Sequence, residues 1–262
     1  MEFEIIDFHT HPYTSYGNNI CGHKDIIKMD SDYTLNLLKD LGISGFCGSV
    51  VERDPHNTMS PIEKMHKCNN TALELREYYK GCYIPGFHIH PDYVEESIYE
   101  IHRMHNEGVN LIGELVPSYF GWDDYSADGL SQILSEAGRY NMVESFHTIA
   151  EYGDRMDKMV KSHPDVIFVA AHPGELPTLT DHIERAKKFD NYYLDVSGTG
   201  LFRYGMIRRA LDAFGSDRIL FGSDFPTCNP AMFVGGILFD SLISDTEKEK
   251  IFSLNAKRIL NL

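Results

Sequence analysis

Short apolar runs recur along the whole chain, each closed by polar or turn-forming residues. They read "FEIIDFH" (3–9), "SGFCGSVV" (44–51), "CYIPGFH" (82–88), "NLIGELV" (110–116), "NMVESFH" (141–147), "VIFVAAH" (166–172), "YYLDVSG" (192–198) and "RILFGSD" (218–224). Between them apolar residues return at three- and four-residue spacing, as in Val94, Ile98 and Ile101, in Leu179, Ile183 and Ala186, and in Ile207, Ala210, Leu211 and Phe214. The short runs predict strands; the wider spacing predicts helices with one buried stripe. Their alternation implies βαβ units around a parallel sheet. Eight such units in 262 residues, at roughly thirty residues each, predict an α/β fold of the closed (β/α)8 TIM-barrel type. An open doubly wound sheet would place a glycine-rich phosphate turn after the first strand. Here "HTHPYTSYG" stands there instead, and the glycines of "VSGTG" (196–200) read as a loop after the seventh strand. No linker or compositional shift divides the chain, so residues 1–262 are expected to form a single barrel domain.

Composition narrows the partners. A net charge of −15 without a lysine or arginine block disfavours nucleic acid and anionic membranes. No window approaches ~20 uninterrupted apolar residues, and "MEFEIIDFHTH" lacks the layout of a secretory leader. The five cysteines (Cys21, Cys47, Cys68, Cys82, Cys228) show no C-x-x-C spacing and read as free thiols. A cytoplasmic protein acting on a small molecule is expected. The apolar stretch "GGILFDSLI" (235–243) reads as core, with a homo-oligomer contact as the alternative.

In a barrel the active site forms at the C-terminal strand ends. There the chain places His9 and His11, Glu114, His147, His172 and Asp224. His9 and His11 are two apart, so on extended chain they project to one side. Singly, each of these residues has a bland explanation: a solvated histidine, an ion-paired glutamate, an aspartate capping a helix. Six metal-competent side chains at one mouth make the metal reading the stronger. Ser145, Ala170 and Gly222 precede His147, His172 and Asp224 by two, and are expected to form a small layer beneath them. The polar loop "PYTSYGNNICGHKD" (12–25) could cover the mouth. His88, Arg53 and Arg203, at the ends of the third, second and seventh strands, are candidate substrate contacts; His90 and "WDD" (122–124) lie close in sequence to the mouth.

"DFHTHP", a histidine ending strand five, "AAHPG", "FGSDFP" and the terminal "NAKRIL" resemble the amidohydrolase superfamily from residue 5 to residue 260. The likeness is to its compact amidohydrolase-2 branch, which includes decarboxylases of the amino-carboxymuconate-semialdehyde type. The resemblance implies a divalent metal, often zinc, with His9, His11, His147, His172 and Asp224 matching the family's strand-end residues. Glu114 departs from that branch and is similar to the strand-four glutamate of TatD-type nucleases, which leaves one ion or two.

Imidazoles and carboxylates suit Zn²⁺, Mn²⁺ or Fe²⁺. Such an ion lowers the pKa of water toward ~7, and Asp224 and His172 could move the proton as the catalytic pair. The expected activity is metal-dependent hydrolysis of an ester, lactone, amide or similar bond in a small polar substrate. The alternative is non-oxidative decarboxylation of a small unsaturated or aromatic carboxylic acid. Less favoured are a TatD-like nuclease, against which the acidic charge counts, and a non-catalytic metal-binding protein.

Overall fold

A computed structural model of the protein describes residues 3–19, 29–54, 56–174, 176–198 and 203–262. Its centre is one eight-stranded parallel sheet in sequential order: β1 (Ile5–Asp7), β2 (Ile43–Ser49), β3 (Tyr83–Phe87), β4 (Leu111–Leu115), β5 (Val143–His147), β6 (Ile167–Ala171), β7 (Tyr192–Asp195) and β8 (Ile219–Leu220). The sheet curls until its first and last strands meet. Phe8 N–H donates to Phe221 O at 2.8 Å, His11 N–H to Phe225 O at 2.7 Å and Asp224 N–H to His9 O at 2.8 Å. The TIM-barrel expectation is met. Strand eight is shorter than predicted because beyond Leu220 the chain reaches β1 through these separate bonds rather than a continuous ladder.

Helices fill the return paths: α1 (Ser31–Asp40), α2 (Pro61–Tyr79), α3 (Val94–Asn106), α4 (Pro117–Phe120), α5 (Asp128–Arg139), α6 (Gly153–Ser162), α7 (Leu176–Lys188), α8 (Met206–Phe214), α9 (Pro230–Leu238), α10 (Asp245–Glu249) and, after a π-turn, α11 (Asn255–Leu260). The three predicted apolar stripes lie on α3, α7 and α8. The start of α2 follows from local chemistry. Ser60 accepts from Glu63 N–H while the Glu63 carboxylate accepts from Ser60 N–H, so each caps the other, and Pro61 fills the first helical position.

Three apolar clusters result among the described residues, the smallest pairing Tyr13 with Phe225. Ile6, Phe8, Cys47, Leu111, Val143, Val169, Tyr193 and Leu220 fill the barrel interior, where Ala256, Ile259 and Leu260 of α11 join them. The largest cluster joins the outward strand residues, such as Phe46, Ile112, Phe146 and Leu194, to the helices. Residues 235–243 are divided: Ile237 and Ile243 are buried, while Phe239 is 82% exposed. Among the described residues no helix is long and apolar enough to cross a membrane. Cys47, Cys68, Cys82 and Cys228 are free thiols; Cys21 lies outside the described residues.

Candidate metal centre

The six strand-end residues converge, by three different backbone routes. On β1 the extended chain continues past Asp7, since Thr10 bridges to Phe225. His9 and His11 flank Thr10 and project to one side, with Nε2 atoms 3.4 Å apart. His147 continues the inward alternation of Val143 and Ser145 on β5. Glu114 follows a break in alternation: Ile112 faces the helices, the pairing register shifts between Ile112 and Leu115, and Gly113 sits at φ +90°. A Cβ at Gly113 would lie 2.0 Å from Ser145 O, so only glycine fits this crossing.

His172 needs a similar reversal. Ala170 packs with the helix-side cluster, so strict alternation would turn His172 outward; its left-handed backbone (φ +57°) returns it to the mouth. The expectation that Ala170 lies beneath His172 is therefore corrected. Asp224 is also left-handed (φ +59°).

The convergence is tight. Glu114 Oε2 lies 3.2 Å from His9 Nε2 and 3.0 Å from His11 Nε2; Oε1 lies 3.1 Å from His147 Nδ1 and 3.2 Å from His172 Nε2. Asp224 Oδ1 is 3.8 Å from His9 Nε2 and 3.6 Å from His11 Nε2. Donors around a tetrahedral ion with arms of about 2.1 Å stand about 3.4 Å apart. The spacings of His9 and His11 to each other, to Glu114 and to Asp224 run from 3.0 to 3.8 Å and fit that requirement, and the donors fall into two three-residue sets that share His9: His9, His11 and Asp224, and His9, Glu114 and His172. The two carboxylates also balance a divalent charge.

The electrostatics point the same way. Burial alone would raise Glu114, but the charges of His9 and His172 with hydrogen bonds from His11 and His147 hold it well below the usual carboxylate range. Burial alone would lower His9, yet Glu114 and Asp195 raise it well above the ordinary imidazole value; His147 is raised by Glu114 against the same opposing effect of burial. The cluster thus demands positive charge, which protons or a cation can supply.

Behind the six lies a second layer. His11 Nδ1 donates to Ser49 O at 3.0 Å. His9 Nδ1 is 2.8 Å from Asp195 Oδ2 and 2.9 Å from Ser197 Oγ, and His172 Nδ1 is 3.2 Å from the same hydroxyl. These bonds aim each Nε2 at the mouth. Asp195 and Ser197 escaped sequence reasoning, although a charged residue inside the apolar run "YYLDVSG" was a usable signal, because aspartate is seldom fully buried unless paired. On β1, Asp7 accepts from the backbone N–H groups of His9 and Ser223 and from the Ser223 hydroxyl; burial nonetheless pushes its pKa up to about 7.

The candidate substrate contacts have surroundings of their own, and His88 also feels the charges of His11 and Glu114. His88 is fully buried, with Nε2 2.9 Å from Val50 O and its ring against Phe120; burial lowers its pKa to about 4. His90 is likewise buried and bonds Phe120 O. Arg53 Nε donates to Asn19 O at 2.9 Å. Arg203 lines a separate cavity of about 360 Å³ between α8 and α9, with Val196, Ile207, Phe233 and Ile237 among its walls. Of the polar loop 12–25, residues 20–25 lie outside the described residues; Asn19 ties the remainder to His11 O.

The protein resembles solved structures at identities that speak for the fold alone. A 2,6-dihydroxybenzoate decarboxylase from Rhizobium superposes with a TM-score of 0.72 at 16% identity, covering 99% of each chain. A dihydroxybenzoic acid decarboxylase from Polaromonas, with bound manganese and the inhibitor 2-nitroresorcinol, gives 0.73 at 14% identity, covering 99% of this chain and 97% of that one. A putative amidohydrolase from Staphylococcus aureus gives 0.74 at 16% identity, covering 99% and 100%. A sequence comparison with curated proteins returns no match. The sequence model of the family described as Amidohydrolase matches residues 6–262, nearly the whole barrel with every one of the six converging side chains, and the chain belongs to that family.

Proposed function

We propose that the protein is a metal-dependent non-oxidative decarboxylase of a small unsaturated or aromatic carboxylic acid. One observation carries this reading over hydrolysis. The donors form two three-residue sets, His9 with His11 and Asp224, and His9 with Glu114 and His172; because both sets need His9, they hold one ion and not two, and His147 stands outside both. The decarboxylases among the structural neighbours add support. A divalent ion held by His9 with the residues of either set would supply a Lewis acid to neutralise the charge of the substrate's oxygens. His172 has a side chain 17% exposed, and its Nε2 stands 4.0 Å from Asp224 Oδ2. The carbon–carboxylate bond breaks with its electron pair left on carbon, CO₂ departs, and His172 with Asp224 delivers one proton to that carbon.

Hydrolysis is the second reading. It is favoured by the way each oxygen of Glu114 faces its own pair of histidines, as a carboxylate bridging two ions would. Metal content per chain, measured with CO₂ release from a panel of hydroxybenzoates and enoic acids, separates the two. One equivalent with CO₂ release supports the decarboxylase. Two equivalents with turnover of esters or lactones alone overturns it.

A further inference from the structure

The segment "DVSG", Asp195 to Gly198, contributes none of the six converging residues, yet it touches two of them. Ser197 N–H donates to Asp195 Oδ1 at 2.9 Å, and the Ser197 hydroxyl donates to the same oxygen. Asp195 Oδ2 remains for His9 Nδ1, and the Ser197 lone pairs remain for His9 Nδ1 and His172 Nδ1. A hydroxyl has one hydrogen and a carboxylate has none. With that hydrogen committed to Asp195, both imidazoles must bring theirs on Nδ1. The backbone packs closely against both rings: a Cβ at Gly198 would lie 2.2 Å from His172 Nδ1, and one at Gly222 would lie 2.9 Å from His9 Cβ and 3.2 Å from Asp195 Cβ. Asp195 and Ser197 are completely buried, so no water competes for these bonds.

We propose that Asp195 and Ser197 are positioning residues that fix His9 and His172 in one shared tautomeric arrangement, hydrogen on Nδ1 and lone pair on Nε2. This deepens the proposed function and rests on it in one respect, namely that those lone pairs serve the mouth. His9 is anchored by the carboxylate itself; His172 is anchored only by the neutral hydroxyl. Asp195→Asn should therefore act selectively. The two donors of Ser197 keep the amide oxygen at the Oδ1 position, so the amide NH₂ faces His9 Nδ1. His9 must then turn its lone pair to Nδ1 and its hydrogen to Nε2, pointing an N–H into the mouth. Ser197→Ala should leave His9 on its carboxylate and free His172 alone.

The test is the long-range ¹H–¹⁵N spectrum of the histidine rings, recorded without metal in alkaline buffer and again with Zn²⁺, alongside Zn²⁺ affinity by chelator competition. Wild type is expected to show hydrogen on Nδ1 for both rings. In Asp195→Asn the His9 signal should move to the Nε2–H form, with Zn²⁺ bound about 10–100-fold more weakly. In Ser197→Ala the His172 signal should lose its preference and Ser197→Thr should restore it. An unchanged His9 ring with Zn²⁺ affinity within about twofold overturns the proposal. Should Asp195→Asn fail to fold, an unchanged His172 ring in Ser197→Ala overturns it equally. The rings are read without substrate, so shifted tautomers in a protein that releases no CO₂ would refute the decarboxylase reading and leave this one standing.

Discussion

Glu144 lies on the strand that delivers His147, is fully buried, and neither carboxyl oxygen has a hydrogen-bond partner among the described residues. Burial without a partner pushes its pKa from the ordinary 4.5 to about 8. The folded protein therefore keeps a proton here that the unfolded chain releases above the ordinary carboxylate value. Stability from this group is fully present below about pH 4.5 and falls as pH rises, until the folded form also ionises near pH 8. The interval from 4.5 to about 8, at about 1.4 kcal/mol per pH unit, amounts to about 5 kcal/mol. Glu144→Gln keeps the shape and an uncharged polar end, and removes the titration. Urea unfolding of both proteins between about pH 5 and about pH 8 should show the variant gaining roughly 3 kcal/mol on wild type across that range. Asp7 and other groups tilt both curves alike, so the difference isolates Glu144. A difference that stays flat with pH would refute the reasoning and mean that Glu144 is ionised and compensated in the fold.

Other consequences are equally open to measurement. Glu114→Ala removes the one side chain that touches four histidines, so metal retained after dialysis should fall well below one equivalent per chain; full retention would remove Glu114 from the donor set. Gly198→Ala forces a Cβ to 2.2 Å from His172 Nδ1 at a φ of +74°, and should cost about 1–3 kcal/mol in thermal unfolding while lowering turnover more than metal content. Zn²⁺ must displace the proton of His9, whose pKa Glu114 and Asp195 hold well above the ordinary range, so apparent affinity should strengthen as pH rises through that raised value. Affinity independent of pH would show that His9 is already neutral in the free protein.

His9, His11, Glu114, His147, His172 and Asp224 were legible in the sequence because each stands at or near the end of an apolar run, and a barrel gathers strand ends at one mouth. Two things were not. The reversal at His172 depends on a left-handed residue that is not glycine, and nothing in "VAAHPG" announces which residue takes that conformation; Ala170 was therefore assigned to the wrong face. Asp195 and Ser197 were hidden because alternation places them inward without saying what they meet there. A strand-end position in sequence does not say what a cation meets: Arg53 bonds Asn19 O, and Arg203 lines the cavity between α8 and α9.

The closure between β1 and β8 bears on how the protein is made. His9 and His11 leave the ribosome long before Asp224, which shares a donor set with them and comes more than two hundred residues later. Asp195 and Ser197, which aim His9, also arrive late, and Asp7 finds its Ser223 partner only then. A growing chain thus carries two histidines that have neither their carboxylates nor the backbone bonds that hold them. Ion selection is deferred until the ring shuts, so a polypeptide halted before strand eight should show none of the finished protein's affinity, and the act of closing is also the act that creates the binding site.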